Sequence, residues 1–426
     1  MQRGGRMWVR VLGTTVVLVA LACCVAVGFA VTRTSSQPET PGRAARGPTA
    51  VSLAKSRAAL AANLTIVPKS GATAVAPDAP IVVRAGTGVL SDVRATSSDG
   101  APIEGEFSLR ADQWHSIKPL AYGTAYRVTA TVAKVVAESR VQAESTATFQ
   151  TLTPSATVTA SVWPTSGLHV GVGQPIVFRF SREITSAGAR ASVLQHLSVA
   201  KSRPVTGGWH WFSNRELHFR PQKLWPTGTK LQVGWDLRGW NAGSSWGEGT
   251  GGSRFDIGNA RVSYADLEKH VMTVTENGRG VATYPISGGK ATDPTMGGTH
   301  IVMDRASVVR MNSATNGVPV SSPDGYDEIV YMNVHISDTG EYVHAAPWSV
   351  SSQGRANVSH GCINLSAANA RSFFDFSRVG DIVVVTGTPR PPKFGDHGVM
   401  DWDTPWSQFT PESAVHPTDA NTQPVF

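Results

Sequence analysis

Three residues with chemical potential lie close together late in the chain: His344, His360 and Cys362. A thiolate is a strong nucleophile, but a free thiol of pKa ~8.5 needs a base or a positive neighbour to ionise at neutral pH. The run Asn357-Val358-Ser359-His360-Gly361-Cys362-Ile363-Asn364-Leu365 sets the cysteine in a glycine-containing loop. Ser366 reads as the N-cap of a helix running to about Ser377, with Phe373 and Phe374 facing inward. A helix N-terminus carries partial positive charge and would stabilise a thiolate at Cys362. Amides gathered in such a loop suit an oxyanion, and Gly361 lets the backbone approach a substrate. The pattern points to nucleophilic acyl transfer.

The base has two candidates. His344 stands in Tyr342-Val343-His344-Ala345-Ala346-Pro347-Trp348, with 14 residues between it and Ser359. Ala346-Pro347 breaks the strand into a fixed turn, which would let His344 reach across to the thiol. His360 is next to the cysteine along the chain, whereas a general base must face it. Its ring could instead brace the loop or touch substrate. Two plainer readings compete. A lone thiol often packs as a small hydrophobe, and the cysteine count alone favours that. His335, His344, His360 and Cys362 could also ligate zinc, but their spacing is irregular and holds no Cys-x-x-Cys or His-x-x-x-His pair.

The rest of the chain must carry and position these groups. Its 426 residues exceed one ordinary domain. The apolar fraction of 41% suffices for buried cores, and its short Val, Ile and Thr runs favour β structure. The net charge of +7 suits acidic partners such as an anionic wall polymer. The basic residues are scattered without interleaved aromatics, which argues against nucleic acid. Arg3, Arg6 and Arg10 precede Val11–Val31, a stretch of 21 residues without charge. That is long enough to span a bilayer and longer than a cleavable signal core, so residues 1–31 read as an anchor with the remainder outside the cell. Leu21-Ala22-Cys23 leaves a lipoprotein as the alternative. Residues 32–54, rich in Pro, Gly and Arg, read as a linker.

Two segments then repeat. Pro68-Lys69-Ser70-Gly71 precedes Ala79-Pro80-Ile81-Val82-Val83-Arg84, and Pro164-Thr165-Ser166-Gly167 precedes Gln174-Pro175-Ile176-Val177-Phe178-Arg179. Each copy continues through a Trp-containing run (Trp114-His115; Trp209-His210-Trp211), a Gly-Thr pair and an alternating strand. Such units, with many short strands and turns, predict tandem immunoglobulin-like sandwiches at 55–150 and 151–253, without the usual disulfide. Their Trp and His residues are expected in the core and on strand faces. A third, strand-rich unit over 254–387 holds the chemical residues. Residues 388–410, rich in Pro and Trp, are expected to pack on it, and 411–426 to be a disordered tail.

His344 followed after its spacer by Ser359-His360-Gly361-Cys362-Ile363-Asn364 resembles the signature of the L,D-transpeptidase catalytic domain, the YkuD-like fold. Ser322-Pro323-Asp324-Gly325-Tyr326, the run from His344 to Val350, and Asp401-Trp402-x-x-Pro405-Trp406 resemble its mycobacterial-type members over most of residues 55–408. The implied fold is mainly β: membrane anchor, two immunoglobulin-like sandwiches, then a β-rich catalytic domain with short helices. The resemblance implies peptidoglycan cross-linking without a cofactor or metal. The Cys362 thiolate would attack the carbonyl of the third residue of a donor tetrapeptide stem and release D-Ala. The side-chain amine of an acceptor stem would resolve the thioester into a 3→3 link, and carbapenems would acylate the thiol. His344 is carried over as base. The amides of His360, Gly361 and Cys362 become oxyanion donors, Tyr326 a lid residue, and Met311, Trp348, Ser359 and Asn364 substrate contacts. Met311 and Trp348 are equally readable as core.

Two positions depart from the pattern. Ala345 replaces a frequent Ser after the base, which matters only if a hydroxyl, rather than a carbonyl, orients the imidazole. Close relatives carry an aromatic near Asn316-Gly317. Two further readings stay open: an L,D-carboxypeptidase using water as acceptor, and a non-enzymatic wall-binding protein.

Overall fold

A computed structural model describes residues 49–410, the side chain of Asn316 excepted. The expected anchor with its lipobox, residues 32–48 of the linker and the tail from 411 lie outside the described residues. Among the described residues no helix is long and apolar enough to cross a membrane. The linker reading fails at its end, because Ala50–Ala62 is a helix rich in alanine, and Leu60 is buried.

The chain is mainly β and builds three hydrophobic cores. In the first, a four-stranded sheet faces the three strands Val89–Ser97, Ala125–Val136 and Ser139–Gln150. Tyr126, Val128, Ala130 and Val132 point inward at every second position, as a strand half exposed to solvent requires. Trp114 packs with them. The second core repeats the plan with two four-stranded sheets and buries Trp209 and Trp211, so these aromatics are core residues.

One strand of the second sandwich departs from alternation. Glu216–Pro221 is buried on both faces. Leu217 and Phe219 enter the sandwich core, while Glu216, His218 and Arg220 face the other way. The C-terminal segment covers them: Arg220 lies 4.2 Å from the Phe409 ring and His218 bonds Asp401 at 2.9 Å. That segment was expected on the catalytic unit. It packs there too, through Thr299 N–H to Asp403 (2.9 Å) and Ile301 N–H to Gly398 (2.7 Å), but it also spans the junction.

The third core lies between a five-stranded and a four-stranded sheet. The five-stranded sheet begins at Arg261, not at 254. Thr250–Ile257 pairs with Lys230–Asp236, and Phe255 and Ile257 complete the second sandwich's core. The four-stranded sheet runs in the order Asp304–Asn312, Asp327–Ser337, Glu341–Ala345, Ile363–Leu365. The helix Ala367–Phe376 follows, its Ser366 hydroxyl accepting from Asn369 N–H. Phe373 is fully inside, whereas Phe374 is half-buried beneath the Arg305 guanidinium.

Candidate active site

The expectation that Cys362 sits at a helix N-terminus is corrected. Ile363–Leu365 forms a short strand between the cysteine and the helix. Charge at a helix end falls off within a turn, so it contributes little to this thiol. Burial pushes the thiol up to about 12; the Tyr342 N–H at 3.4 Å opposes this, and the nearby Glu341 charge adds to it. The resting residue is a neutral thiol whose hydrogen points to Gly340 O at 3.8 Å.

Strand register brings the base to it. Glu341–Ala345 and Ile363–Leu365 run parallel, with Val343 opposite Ile363, His344 opposite Asn364 and Ala345 opposite Leu365. Side chains alternate between faces. Val343, Ala345, Ile363 and Leu365 enter the core, which leaves His344, Asn364 and, two positions before it, Cys362 on the opposite face. The Ala346-Pro347 turn lies beyond His344 and is not what carries it to the thiol. His344, Asn364 and Cys362 line one cleft of about 420 Å³, together with Met311, Tyr326 and Trp348.

His344 is buried, and its Nδ1 donates to Ala345 O at 3.0 Å. That bond fixes the tautomer and leaves Nε2 as the acceptor. The orienting group is thus a carbonyl, and Ala345 in place of Ser costs the base nothing. Burial lowers the imidazole to about 4, against the opposing Ala345 bond, so it is neutral at pH 7 and able to take a proton.

The loop residues divide. Ser359 Oγ donates to Cys362 O at 2.6 Å and accepts from Gly361 N–H at 3.1 Å. Its hydroxyl is committed to the loop, which explains why Ser stands there and argues against a substrate contact. The same bond occupies the Gly361 amide, expected among the oxyanion donors. Gly361 itself has φ +126°, a region that favours glycine, and a Cβ there would lie 3.3 Å from Glu341. His360 is exposed, and its ring lies 5.1 Å from that of Tyr326, tilted by 38°. It belongs to the cleft wall and to the lid side, not to the buried base position. Trp348 is 56% exposed and lies 6.1 Å from the His344 ring, which rules out the core reading. Asn364 donates to Ser349 Oγ, and its own Oδ1 is buried in the cleft wall without a partner. The Tyr326 amide is tied to Ser313 Oγ. His335 turns elsewhere, both nitrogens engaged by Asp304 and Ser337, so the four-residue zinc alternative does not converge.

Sequence reasoning missed Glu341 and Arg390. The pair closes one end of the cleft with a 2.6 Å bond, and Arg390 also reaches Thr339. Burial raises Glu341 to about 7, with Arg390 pulling it back. Arg390 lies 49 positions beyond its partner, in the C-terminal segment, and only the folded chain joins them.

The cleft thus brings together a thiol and an imidazole that are both neutral at pH 7, the imidazole with Nε2 as its acceptor. Residues 260–385 match the L,D-transpeptidase catalytic domain family, and residues 72–241 the bacterial Ig domain family. L,D-transpeptidase 2 of Mycobacterium tuberculosis is 36% identical over 371 residues, which cover 85% of this chain and 89% of the relative. L,D-transpeptidase 5 of the same species is 30% identical over 386 residues, 86% of this chain and 80% of the relative. A solved structure of L,D-transpeptidase 1 in complex with imipenem shares 38% identity over 55% of this chain and all of that one, with a TM-score of 0.48. The chain belongs to the L,D-transpeptidase family and is an enzyme of that family.

Proposed function

We propose that the chain cross-links peptidoglycan stems 3→3 through a thioester on Cys362. The observation that carries this is the parallel register that sets Cys362 and His344 on one face of one cleft. As Sγ attacks the carbonyl of the third stem residue, its proton passes to His344 Nε2. The C–N bond to the terminal D-Ala breaks, and the imidazolium returns that proton to the leaving amine. The side-chain amine of a second stem then attacks the thioester, the new amide forms, and the proton lost by the amine restores the thiol. Generating the thiolate only at attack fits a thiol held near 12. The amides of His360 and Cys362 are the oxyanion donors in this reading, with Gly361 joining if Ser359 releases it. Tyr326, Met311, Trp348 and Asn364 hold the stem.

The two sandwiches act as immunoglobulin-like modules that hold this unit in the cell envelope. The placement is outside the membrane, behind an anchor at Val11–Val31, and rests on the uncharged run after Arg3, Arg6 and Arg10.

Incubation with a tetrapeptide stem, followed by mass spectrometry, tests the reading. Cross-linked dimer with loss of D-Ala is expected from the native chain and none from Cys362→Ala. Shortened monomer alone would replace the transferase with a carboxypeptidase. A carbapenem should add covalently to Cys362, and an unmodified native chain would count against the nucleophile.

A further inference from the structure

We propose that Glu216, His218 and His397 form a divalent-metal site, suited first to zinc, that clamps the second sandwich to the C-terminal segment. His218 Nε2 and His397 Nε2 both converge on Glu216 Oε1, at 2.8 and 2.7 Å. The three donor atoms lie within 4.8 Å of one another. Zinc bonds of about 2.0–2.2 Å in a tetrahedron separate donor atoms by about 3.3 Å. The two Glu216 contacts must lengthen by roughly half an ångström, and the two imidazole nitrogens settle at the same spacing, for an ion to replace the hydrogen bonds.

The surroundings are those of a metal site. The far nitrogen of each imidazole meets a carboxylate: His218 Nδ1 bonds Asp401 at 2.9 Å, and His397 Nδ1 bonds Asp338. Such outer carboxylates fix the tautomer that turns the Nε2 lone pair toward a metal. Arg179 holds the second oxygen of Glu216 at 2.7 Å. The Phe212 ring lies 4.0 Å from His218 and 5.8 Å from His397, parallel to both within 20°, and limits their rotation.

Charge favours a cation. Glu216, Asp338 and Asp401 bring three negative charges, with Arg179 beside the first and Arg220 near the last. A divalent ion bound by Glu216 Oε1 and the two imidazole nitrogens offsets this charge. His218 is 1% exposed and His397 37%, so the ion enters past His397, where water completes the coordination.

None of the three donors lines the catalytic cleft. The site's role is mechanical. His397 and Arg390 lie on the same segment, and Arg390 closes the cleft against Glu341. Metal at the junction would fix that segment at both points.

The test is zinc titration of the full chain by calorimetry, with metal content read by mass spectrometry. One zinc per chain is expected in the native protein and in Cys362→Ala, which removes any sulfur ligand in the cleft. His397→Ala should bind at least 100-fold more weakly. Zinc should raise the melting temperature of the native chain in a concentration-dependent way but not that of His397→Ala. Asp338→Asn, which keeps all three donors, should weaken binding about 10–100-fold and serves if His397→Ala does not fold. Cobalt(II) should give visible d–d bands without a thiolate charge-transfer band. Native-like zinc affinity in both His397→Ala and Asp338→Asn would overturn the proposal. So would stoichiometry that disappears in Cys362→Ala, or no binding at micromolar zinc.

Discussion

The two sandwiches share a plan and differ in how they meet their neighbours. The first touches the second through a phenol: Tyr122 Oη donates to Gly247 O and accepts from Gly239 N–H. The second is joined to the catalytic unit by main chain and buried charge. Gly171 and Gly173 donate to Val379 O and Gly380 O, so closely that a Cβ on Gly171 would lie 2.2 Å from Gly380. Trp402 Nε1 donates to Gly173 O at 2.7 Å. Arg220 is buried against Trp402, Trp406 and Phe409 and bonds Thr404 O. The first unit meets its neighbour through the Tyr122 phenol; the second is built into the junction with the unit that carries the cleft. Similar sheets acquire different roles through what covers their outer faces.

Truncation is the strongest way to break that contrast. A chain beginning at Thr151 should keep carbapenem acylation within a few-fold of the full chain. A chain beginning at Gly258 exposes Trp402, Trp406 and Phe409 and should be insoluble or unreactive. Equal loss in both shortened chains, read by mass spectrometry of the adduct, would erase the distinction. Arg220→Ala comes next. It strips a buried guanidinium from beside Asp401, a class of change that costs about 3–5 kcal/mol. Arg127→Ala, on an exposed face of the first sandwich, should stay within about 0.5 kcal/mol. Urea unfolding of the two variants measures both.

The same contrast marks what the sequence made legible. The nucleophile loop could be read because its residues are neighbours in the chain, and the sandwich repeats because alternation is local. Ser366 as a cap was visible for the same reason. The strand after Cys362 was not: three residues of Ile-Asn-Leu carry no period, and the Ser cap drew the helix too close. The domain boundary at 254 failed because Phe255 and Ile257 look alike whether they close one core or open the next. The junction was hidden by distance. Arg220 and Thr404 stand 184 positions apart, and no local rule pairs them. Similarly, nothing local marks Glu341, because its partner Arg390 stands 49 positions further along.

The base gives a prediction of about 3 kcal/mol that the first sandwich should leave untouched. His344 is lowered to about 4 by burial, opposed by Ala345 O, and no residue of that sandwich contributes. Its folded pKa lies below the unfolded value of ~6.5, so the unfolded chain binds the extra proton between them. This stability is complete above about 6.5 and is lost as pH falls toward about 4. The slope of stability against pH in that window should shrink in His344→Gln and be the same in the full chain and in the chain beginning at Thr151. Acylation should likewise fall about tenfold per pH unit below about 4, where the imidazole can no longer accept the thiol proton.

The smallest effect tests the tether. Tyr122→Phe removes one hydroxyl that serves two main-chain groups of the second sandwich, Gly247 O at 2.5 Å and Gly239 N–H at 3.2 Å. Its ring still packs edge-on to Trp246 at 6.3 Å, so the loss is confined to the hydrogen bonds, and water replaces them once the interface opens. The cost should be about 1 kcal/mol of docking. That should broaden the distribution of distances between spin labels placed on the two sandwiches. The distance from the second sandwich to the catalytic unit should not change, and neither should the acylation rate. Broadening of both distances would mean that the first sandwich helps to hold the junction, and that the two modules are less different than their outer faces indicate.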